Sequence, residues 1–287
     1  MRNWARRLAW LAWGLVVAGV LISPARAIDE PALASRWAAD HASRARLVAG
    51  GVAFGLQTRV LAGVEIALDE GWKTYWRHPG ASGVPPRFDW SRSDNLASAT
   101  VLFPAPQRFT EADGDSIGYK KNVIFPVEVK PKDRARPVTL VLDLEYGACR
   151  DMCIPVQAEL KLTIPSDAKA QPGGTRLLRA VERVPRVKAS ARDPKVAFVK
   201  VDLAGSKPQI VIEAAIPGGT TSADAFLEAP DGVWVPLAQR VPGAQAGKGR
   251  FVVDLSNGVD LAELKGKTIR LTLVSQTGQS EATFVLE

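Results

Sequence analysis

The sequence predicts an all-β protein made of two antiparallel β-sandwiches, which are joined by a linker with one short helix. Three observations support this fold class. Apolar and polar residues alternate with a period of two through most of the chain, Gly and Pro interrupt the alternation at short intervals, and one stretch has helical spacing instead. Short strands with frequent turns favour antiparallel sandwiches over repeated βαβ units.

Length and composition agree with two ordinary domains. The 287 residues are 46% hydrophobic and 23% charged, which excludes a disordered chain and a small disulfide-stapled domain. The formal net charge is +7, but four Arg and no acidic residue fall within residues 1–27. The remaining chain has 33 basic against 30 acidic residues and no basic stretch interleaved with aromatic residues, so we expect no nucleic-acid partner.

Residues 1–27 have the three parts of a cleavable secretory signal. Arg2, Arg6 and Arg7 form a basic start, residues 8–22 are apolar, and Ala25-Arg26-Ala27 is a small-x-small cleavage site. The apolar run is shorter than the roughly 18 residues of a membrane-spanning helix. We therefore expect cleavage after Ala27 and a periplasmic protein.

Residues 28–165 are predicted to form the first sandwich. In residues 138–145 apolar side chains occupy every second position, as in a strand with one buried face. Similar runs occur at residues 60–68, 123–129 and 158–164. Pro126 lies inside one of these runs. Because Pro cannot donate a backbone hydrogen bond, we expect that this strand is an edge strand or carries a β-bulge.

Residues 166–194 differ from the sandwiches in composition. They contain seven basic and three acidic residues, and Pro172-Gly173-Gly174 interrupts the chain within them. Apolar residues then recur with helical spacing until Pro185, which predicts one short helix with Thr175 as its cap. We interpret this segment as an interdomain linker whose charges lie on a solvated face.

Period-two alternation resumes at residue 195 and continues to residue 287. The alternating runs are separated by turn residues such as Gly-Gly, Asp-Gly and Asn-Gly, and lie at residues 196–203, 209–216, 250–255, 268–274 and 282–286. These runs predict a second, smaller sandwich over residues 195–287.

The chain contains two Cys, Cys149 and Cys153, in the interval between two predicted strands. Extended backbone would separate them by about 13 Å, whereas a disulfide needs Cα atoms roughly 4.4–6.8 Å apart, so the segment must turn back on itself. An oxidising compartment favours the disulfide. Closing so short a loop stabilises a protein by only about 2 kcal/mol, and short exposed disulfides are often exchangeable. The residues alone leave a redox centre and a structural bridge equally open.

Aromatic residues cluster in the first sandwich. If residues 71–77 form a strand, Trp72 and Trp76 share one face while Tyr75 lies on the other. We expect Trp72 and Trp90 to anchor the core, because large rings bury the most apolar area. A compatible functional interpretation is an aromatic wall beside the thiols.

A metal site is the third interpretation of the Cys pair. Two thiolates need further soft ligands, and the candidates are His41, His78 and Met152. No metal-ligand spacing connects them, so we expect no resident metal. His41 is predicted to be a surface residue in a helical or flexible stretch, and His78 a surface residue in a turn. Hydrolytic and phosphate-binding motifs are also missing.

Residues 71–77, 114–119, 122–127 and 146–155 together resemble the N-terminal periplasmic domain of the DsbD family of thiol:disulfide interchange proteins, and especially its ScsB relatives. The resemblance covers about residues 45–165. It implies an immunoglobulin-like domain whose Cys pair passes reducing equivalents. The implied partners are periplasmic thioredoxin-like or disulfide-isomerase proteins and a membrane electron donor of the DsbD/ScsB type.

The resemblance also implies roles for single residues. Cys153 would form the mixed disulfide with partners, and Cys149 would resolve it. Tyr75 and Tyr119 fall near family aromatics in the same neighbourhood.

Residues 109–114 match the cap loop that covers the thiols in the family. Within this loop, Glu111 falls near the position of a carboxylate that lies beside the thiols in the family. Two departures are visible: the Cys pair is more closely spaced than in DsbD, and Ala112 aligns with the aromatic of the cap, for which Phe109 could substitute only if the loop is shifted.

The sequence thus predicts a periplasmic thiol–disulfide exchange module without a bound cofactor, which would make it a component of a protein-disulfide reductase system. The membrane and thioredoxin-like domains of DsbD are not found in these residues, so we expect an electron donor in trans. Two alternatives stay open: a non-catalytic binding or adaptor sandwich with a structural disulfide, and a copper-handling protein.

Overall fold

The computed structural model describes the chain in seven segments, at residues 33–54, 57–80, 83–111, 114–168, 174–204, 206–242 and 247–287. The predicted signal peptide with its cleavage site lies outside these residues, as do Ala112 and the Pro172-Gly173 break. Most described residues lie in antiparallel sheets, which confirms the all-β prediction. None of the helices in the described segments is long and apolar enough to span a bilayer.

The strands of the N-terminal part form a sandwich of two sheets. In chain order they are β1 (Leu33–Ala34), β2 (Ala38–Asp40), β3 (Ser43–Phe54), β4 (Gln57–Leu68), β5 (Lys73–Gly80), β6 (Arg87–Asp89), β7 (Leu96–Val101), β8 (Gln107–Glu111), β9 (Gly114–Lys120), β10 (Asn122–Pro131), β11 (Val138–Cys149) and β12 (Cys153–Ile164). The strand orders are β1-β3-β4-β10-β7 and β12-β11-β5-β9-β8, with β2 paired to β3 and β6 paired to β11. The sheets pack face to face around one core, as in an immunoglobulin-like domain.

The β11–β12 hairpin positions the Cys pair. Alternate residues of β11, including Leu140, Leu142 and Leu144, are buried in the core. All twelve residues of β11 pair in register with β12, and the last pair is Cys149 opposite Cys153. A slip by one residue would turn every apolar side chain outward, so the core fixes the register and thereby the positions of both Cys.

Strand β10 is central, so the expectation of an edge strand is wrong, whereas the strand does carry the bulge-like irregularity that was the alternative, five residues beyond Pro126 at Pro131. It pairs with β4 on one side and β7 on the other, and its register shifts only between Lys130 and Pro131. Pro126 lies opposite Gly63, and its carbonyl accepts a hydrogen bond from the backbone N–H of Leu102, just beyond the end of β7. The nitrogen of a strand residue points to the same side as its oxygen. The missing N–H is therefore directed to the place where the β7 ladder stops.

Helix α1 (Gly174–Glu182) forms in the predicted linker and lies on the first sandwich. It starts one residue before Thr175, which lies inside the helix and is not its cap. Leu177 packs against Leu61 of β4. Arg176 forms a salt bridge with the buried Glu65 of β4, so the prediction of a solvated charged face is wrong for this residue. A buried carboxylate needs such a partner.

The C-terminal part contains two further sheets around a second core. Its elements are β13 (Lys195–Asp202), β14 (Gln209–Ala215), β15 (Asp224–Glu228), β16 (Gln239–Arg240), β17 (Lys248–Asp254), α2 (Leu261–Leu264), β18 (Thr268–Val274) and β19 (Gln279–Val285). The strand orders are β13-β14-β17-β16 and β15-β18-β19. The five predicted runs are present with small shifts at their ends, while β15 and β16 were not predicted. The exact boundaries between domains stay a prediction.

Strand β15 lies between the two cores. Phe226 packs in the core of the first sandwich, whereas its neighbours Ala225 and Leu227 pack in the second core. Both faces of this short strand are thus covered. Such a strand lacks the apolar–polar alternation by which a half-buried strand is found in a sequence.

Candidate functional site

The two Cys form a disulfide across the end of the β11–β12 hairpin. Their Cα atoms are 4.1 Å apart, which confirms that the segment turns back on itself. The turn consists of Arg150, Asp151 and Met152, and a hydrogen bond from the Arg150 N–H to the Met152 carbonyl closes it.

The two sulfur-bearing residues differ in exposure. Cys149 is 1% exposed, whereas Cys153, on the edge strand β12, is exposed to solvent. Both side chains lie on the outer face of their sheet, because Ala148 and Val156 at alternate positions occupy the core. A reagent or a partner protein can therefore approach the disulfide at Cys153 and is kept from Cys149.

Tyr75 on β5 makes the polar contact to the exposed sulfur. Its hydroxyl lies 3.2 Å from Cys153 Sγ and donates to it, since a disulfide sulfur carries no proton. Two glycines leave room for the ring. A Cβ at Gly83 would lie 2.6 Å from Tyr75 ring atoms, and one at Gly147 would lie 3.3 Å from the ring. This packing fixes the direction of the hydroxyl.

Lys73 adds a buried ammonium group to the site. It pairs with Cys149 across β5 and β11 and is 4% exposed. The ammonium group donates to Ser116 Oγ at 3.0 Å and forms a salt bridge with Glu111. It also lies 5.7 Å from the centre of the Tyr75 ring. These partners offset the free-energy cost of burying a charge.

Phe109 and Glu111 of the predicted cap contact Lys73. Lys73 in turn lies beside Tyr75, whose hydroxyl contacts Cys153 Sγ. Phe109 and Glu111 both lie on β8 and point to the same side, because their positions differ by two. The Phe109 ring lies 6.0 Å from the Lys73 ammonium and 4.5 Å from that of Lys120. The other predicted cap position, Ala112, is outside the described residues.

Tyr119 is not brought to the Cys pair. Along β9, Ser116 faces the site whereas Tyr119 lies in the core, where its ring packs edge-on against Phe125. Its hydroxyl donates to the Pro104 carbonyl at 2.8 Å, and burial raises its pKa. Tyr119 thus lies on β9, a strand that does contribute Ser116 to the site, but on the face of the sheet that is turned to the core.

The Trp residues have the structural role that we expected. Trp72 and Trp90 are partly buried and pack on the first core, and Trp76 is fully buried. Trp72 also contacts the Cys hairpin, because the Arg150 guanidinium lies 5.6 Å from the centre of its ring.

The two His do not join the site. His41 is exposed as expected, but it lies in the tight turn between β2 and β3, with φ of 47°, so the expectation of a helical stretch is wrong. His78 is half-buried within strand β5, not a surface residue in a turn, and burial lowers its pKa. Within the described segments, no cluster of three or more His, Cys, Asp or Glu could hold a metal ion.

Lys73 is the residue that the sequence analysis missed. Its position was visible in the alternation of residues 71–77, where it shares a face with Tyr75. A Lys on the same strand face as an aromatic residue is a weak signal, because most Lys are solvated. Only its pairing with Glu111, 38 positions away, distinguishes it.

Comparisons with known proteins agree with this geometry. The family described as Thiol:disulfide interchange protein DsbD, N-terminal, matches residues 44–165. The crystal structure of the N-terminal periplasmic domain of ScsB from Proteus mirabilis superposes with a TM-score of 0.65. It is 21% identical and covers 88% of this chain and 99% of that chain, which shows a shared fold.

A second solved structure adds nothing to this comparison. Bovine butyrophilin aligns at 9% identity over 79% of this chain and 91% of that chain, but its TM-score of 0.22 supports no argument. No curated protein matches the sequence significantly.

Proposed function

We propose that this chain, in which residues 44–165 form a domain of the DsbD N-terminal family, exchanges disulfides with partner proteins through Cys149 and Cys153. One observation carries the proposal: a disulfide between adjacent strand ends has one exposed and one buried member. This asymmetry supports different roles for the two residues. A bridge that only rigidified the loop would not need it.

The buried position of Cys149 suits a resolving residue. In the reducing direction, a thiolate of a dithiol partner attacks Cys153 Sγ, a mixed disulfide forms and Cys149 leaves as a thiolate. The second thiolate of the partner then attacks its own sulfur in the mixed disulfide and releases Cys153. Two electrons pass to the chain, and the partner becomes a disulfide.

The reverse sequence reduces an acceptor. The Cys153 thiolate attacks the acceptor disulfide and releases one acceptor thiolate, and Cys149 then attacks Cys153 Sγ to release the other. The Tyr75 hydroxyl, which already donates to Cys153 Sγ, stabilises the thiolate in both directions.

We assign this exchange to the periplasm. The ScsB domain with the similar fold is described as periplasmic, and residues 1–27 have the pattern of a secretory signal. The partners are then periplasmic thioredoxin-like or disulfide-isomerase proteins as acceptors, and a membrane protein of the DsbD/ScsB type as the electron donor. The chain would serve as one component of a protein-disulfide reductase system.

Trapping of a mixed disulfide tests the proposal. The Cys149→Ala variant, which cannot resolve, is incubated with an oxidised periplasmic thioredoxin-like protein and analysed by non-reducing electrophoresis. We expect a covalent complex that disappears with reductant. Cys153→Ala is the matched control and should form little complex, because its remaining thiol is buried.

Failure of both variants to form the complex would refute the exchange function, provided that thioredoxin also leaves the wild-type disulfide intact. The bridge would then be structural, as in an adaptor domain.

A further inference from the structure

Strand β8 is held on both of its faces. On one face, Phe109 and Glu111 contact Lys73 at the site. On the opposite face, the Arg108 guanidinium donates to both carboxylate oxygens of Asp224 in β15, at 2.9 and 2.7 Å. It also donates to Asp115 at 2.9 Å and to the Ala238 carbonyl at 2.8 Å. Since β8 is the outermost strand of its sheet path, these contacts hold an edge that has one strand neighbour, β9.

The same face of β15 makes two more contacts with the first sandwich. Phe226 packs against Trp76 with ring centres 5.8 Å apart and the rings tilted by 56°. Glu228 accepts hydrogen bonds from Arg77. Together with Asp224, these residues occupy every second position of β15, so one strand face carries all three contacts. Bidentate Arg–carboxylate pairs that are partly desolvated are specific in geometry as well as favourable in energy.

We propose that Asp224 is a positioning residue: through Arg108 it holds β8 so that Glu111 stays on the Lys73 ammonium, and the C-terminal sandwich thereby sets the reactivity of Cys153. This inference deepens the exchange function proposed above and rests on it. It assigns a role to residues beyond 165, which the family match does not reach.

The physical link is the neutralisation of Lys73. While Glu111 is paired, the ammonium contributes little net field at the site. If β8 moves, an unneutralised cation remains near the Tyr75 ring and its hydroxyl, which contacts Cys153 Sγ. A nearby positive charge favours the thiolate over the thiol. Release of β8 should therefore make Cys153 a stronger acid.

The charged and titratable groups around Cys153 come from four elements. They are Lys73 and Tyr75 on β5, Glu111 on β8, Lys120 on β9, and Arg150 and Asp151 in the turn. Asp224 is not among them. Asp224 contacts β8 directly through Arg108, so a change at Asp224 acts first on the position of β8.

The test is the pH profile of Cys153 alkylation in the full mature chain, with Cys149→Ala as the background and iodoacetamide as the probe. Asp224→Asn and Glu111→Gln should each lower the midpoint of the profile by about half a unit to one unit. The double variant should shift it no further than Glu111→Gln alone, because both changes act through one contact.

Asp143→Asn is the control, because it removes another bidentate Arg–Asp pair, with Arg92 on the first sandwich, at a more exposed position away from β8. Its profile should be unchanged. If Asp224→Asn does not fold, Arg108→Lys keeps the charge but loses the bidentate geometry and should give the same shift.

An unchanged midpoint in Asp224→Asn, or shifts that add in the double variant, would overturn the inference and leave β15 a purely structural contact. Both results are independent of the trapping experiment, since alkylation needs no partner protein. Failure of the inference is thus distinguishable from failure of the exchange function.

Discussion

Cys149 and Cys153 lie directly opposite each other at the end of one hairpin, yet Cys149 is buried and Cys153 is exposed. The difference arises from the sheet order. Cys149 lies on β11, which has β5 beside it, whereas Cys153 lies on the outermost strand, β12. Two residues that are equivalent in the local turn are therefore inequivalent to an approaching thiol.

The first prediction concerns the order in which the reduced thiols react. In the reduced wild-type protein, Cys153 should be alkylated at least about tenfold faster than Cys149, because a buried thiol reacts only after local opening. Short pulses of iodoacetamide followed by peptide mass spectrometry measure both rates. Equal rates would contradict the division into attacking and resolving residues.

The second prediction concerns the Tyr75 hydroxyl. Tyr75→Phe removes the donor to Cys153 Sγ while it keeps the ring between Gly83 and Gly147. The pKa of the Cys153 thiol should rise by about half a unit to one unit, because one hydrogen bond to the thiolate is lost. The alkylation pH profile in the Cys149→Ala background measures the shift. A lower or unchanged pKa would show that the hydroxyl does not stabilise the thiolate.

The third prediction separates Tyr119 from the site. Tyr119→Phe leaves the Pro104 carbonyl without its buried donor, and the free energy of unfolding should fall by about 1 kcal/mol. Urea unfolding measures this change. The alkylation profile of Cys153 should stay as in the parent protein, and a shift like that of Tyr75→Phe would mean that Tyr119 acts at the thiols after all.

The fourth prediction concerns the ion pair between the buried Lys73 and the partly exposed Glu111. Lys73→Met leaves the Glu111 carboxylate without its ammonium partner. Glu111 is 31% exposed, so solvent screens part of the loss, and we expect a destabilisation of about 1–3 kcal/mol in urea unfolding. Replacing both residues, with Glu111→Leu added, should recover most of it. A double variant as unstable as the sum of two single losses would exclude this coupling.

The fifth prediction is a pH dependence that arises from His78. Burial lowers its pKa in the folded protein, so below the ordinary value of 6.5 the unfolded chain binds a proton that the folded chain does not. The contribution of His78 to stability is complete above pH 6.5 and declines as the pH falls toward the lowered pKa. His78→Gln should therefore lose less free energy of unfolding between pH 7 and pH 5 than wild type. Identical losses in both proteins would contradict it.

The strands and the Cys hairpin were predictable because their signals are local. Alternation in residues 138–145 identified β11, and the three residues between the two Cys required a turn if these form a disulfide. The prediction of an edge strand from Pro126 was wrong because Pro disrupts a central strand only where its N–H would have to donate to a paired neighbouring strand. The pairing of β10 with β7 begins at Val127, one residue after Pro126. Strand β15 was missed because each of its faces enters a different core.

Sequence by itself determined the all-β class, the hairpin and the position of the Cys pair at its turn, since periodicity and spacing are properties of neighbouring residues. The tertiary structure alone decided which Cys is exposed, that Tyr75 rather than Tyr119 reaches the sulfur, and that Glu111 neutralises Lys73. It also placed Asp224 on Arg108, 116 positions away. Exposure and charge pairing depend on which distant segments cover a given face, and that is settled only when the sheets pack together.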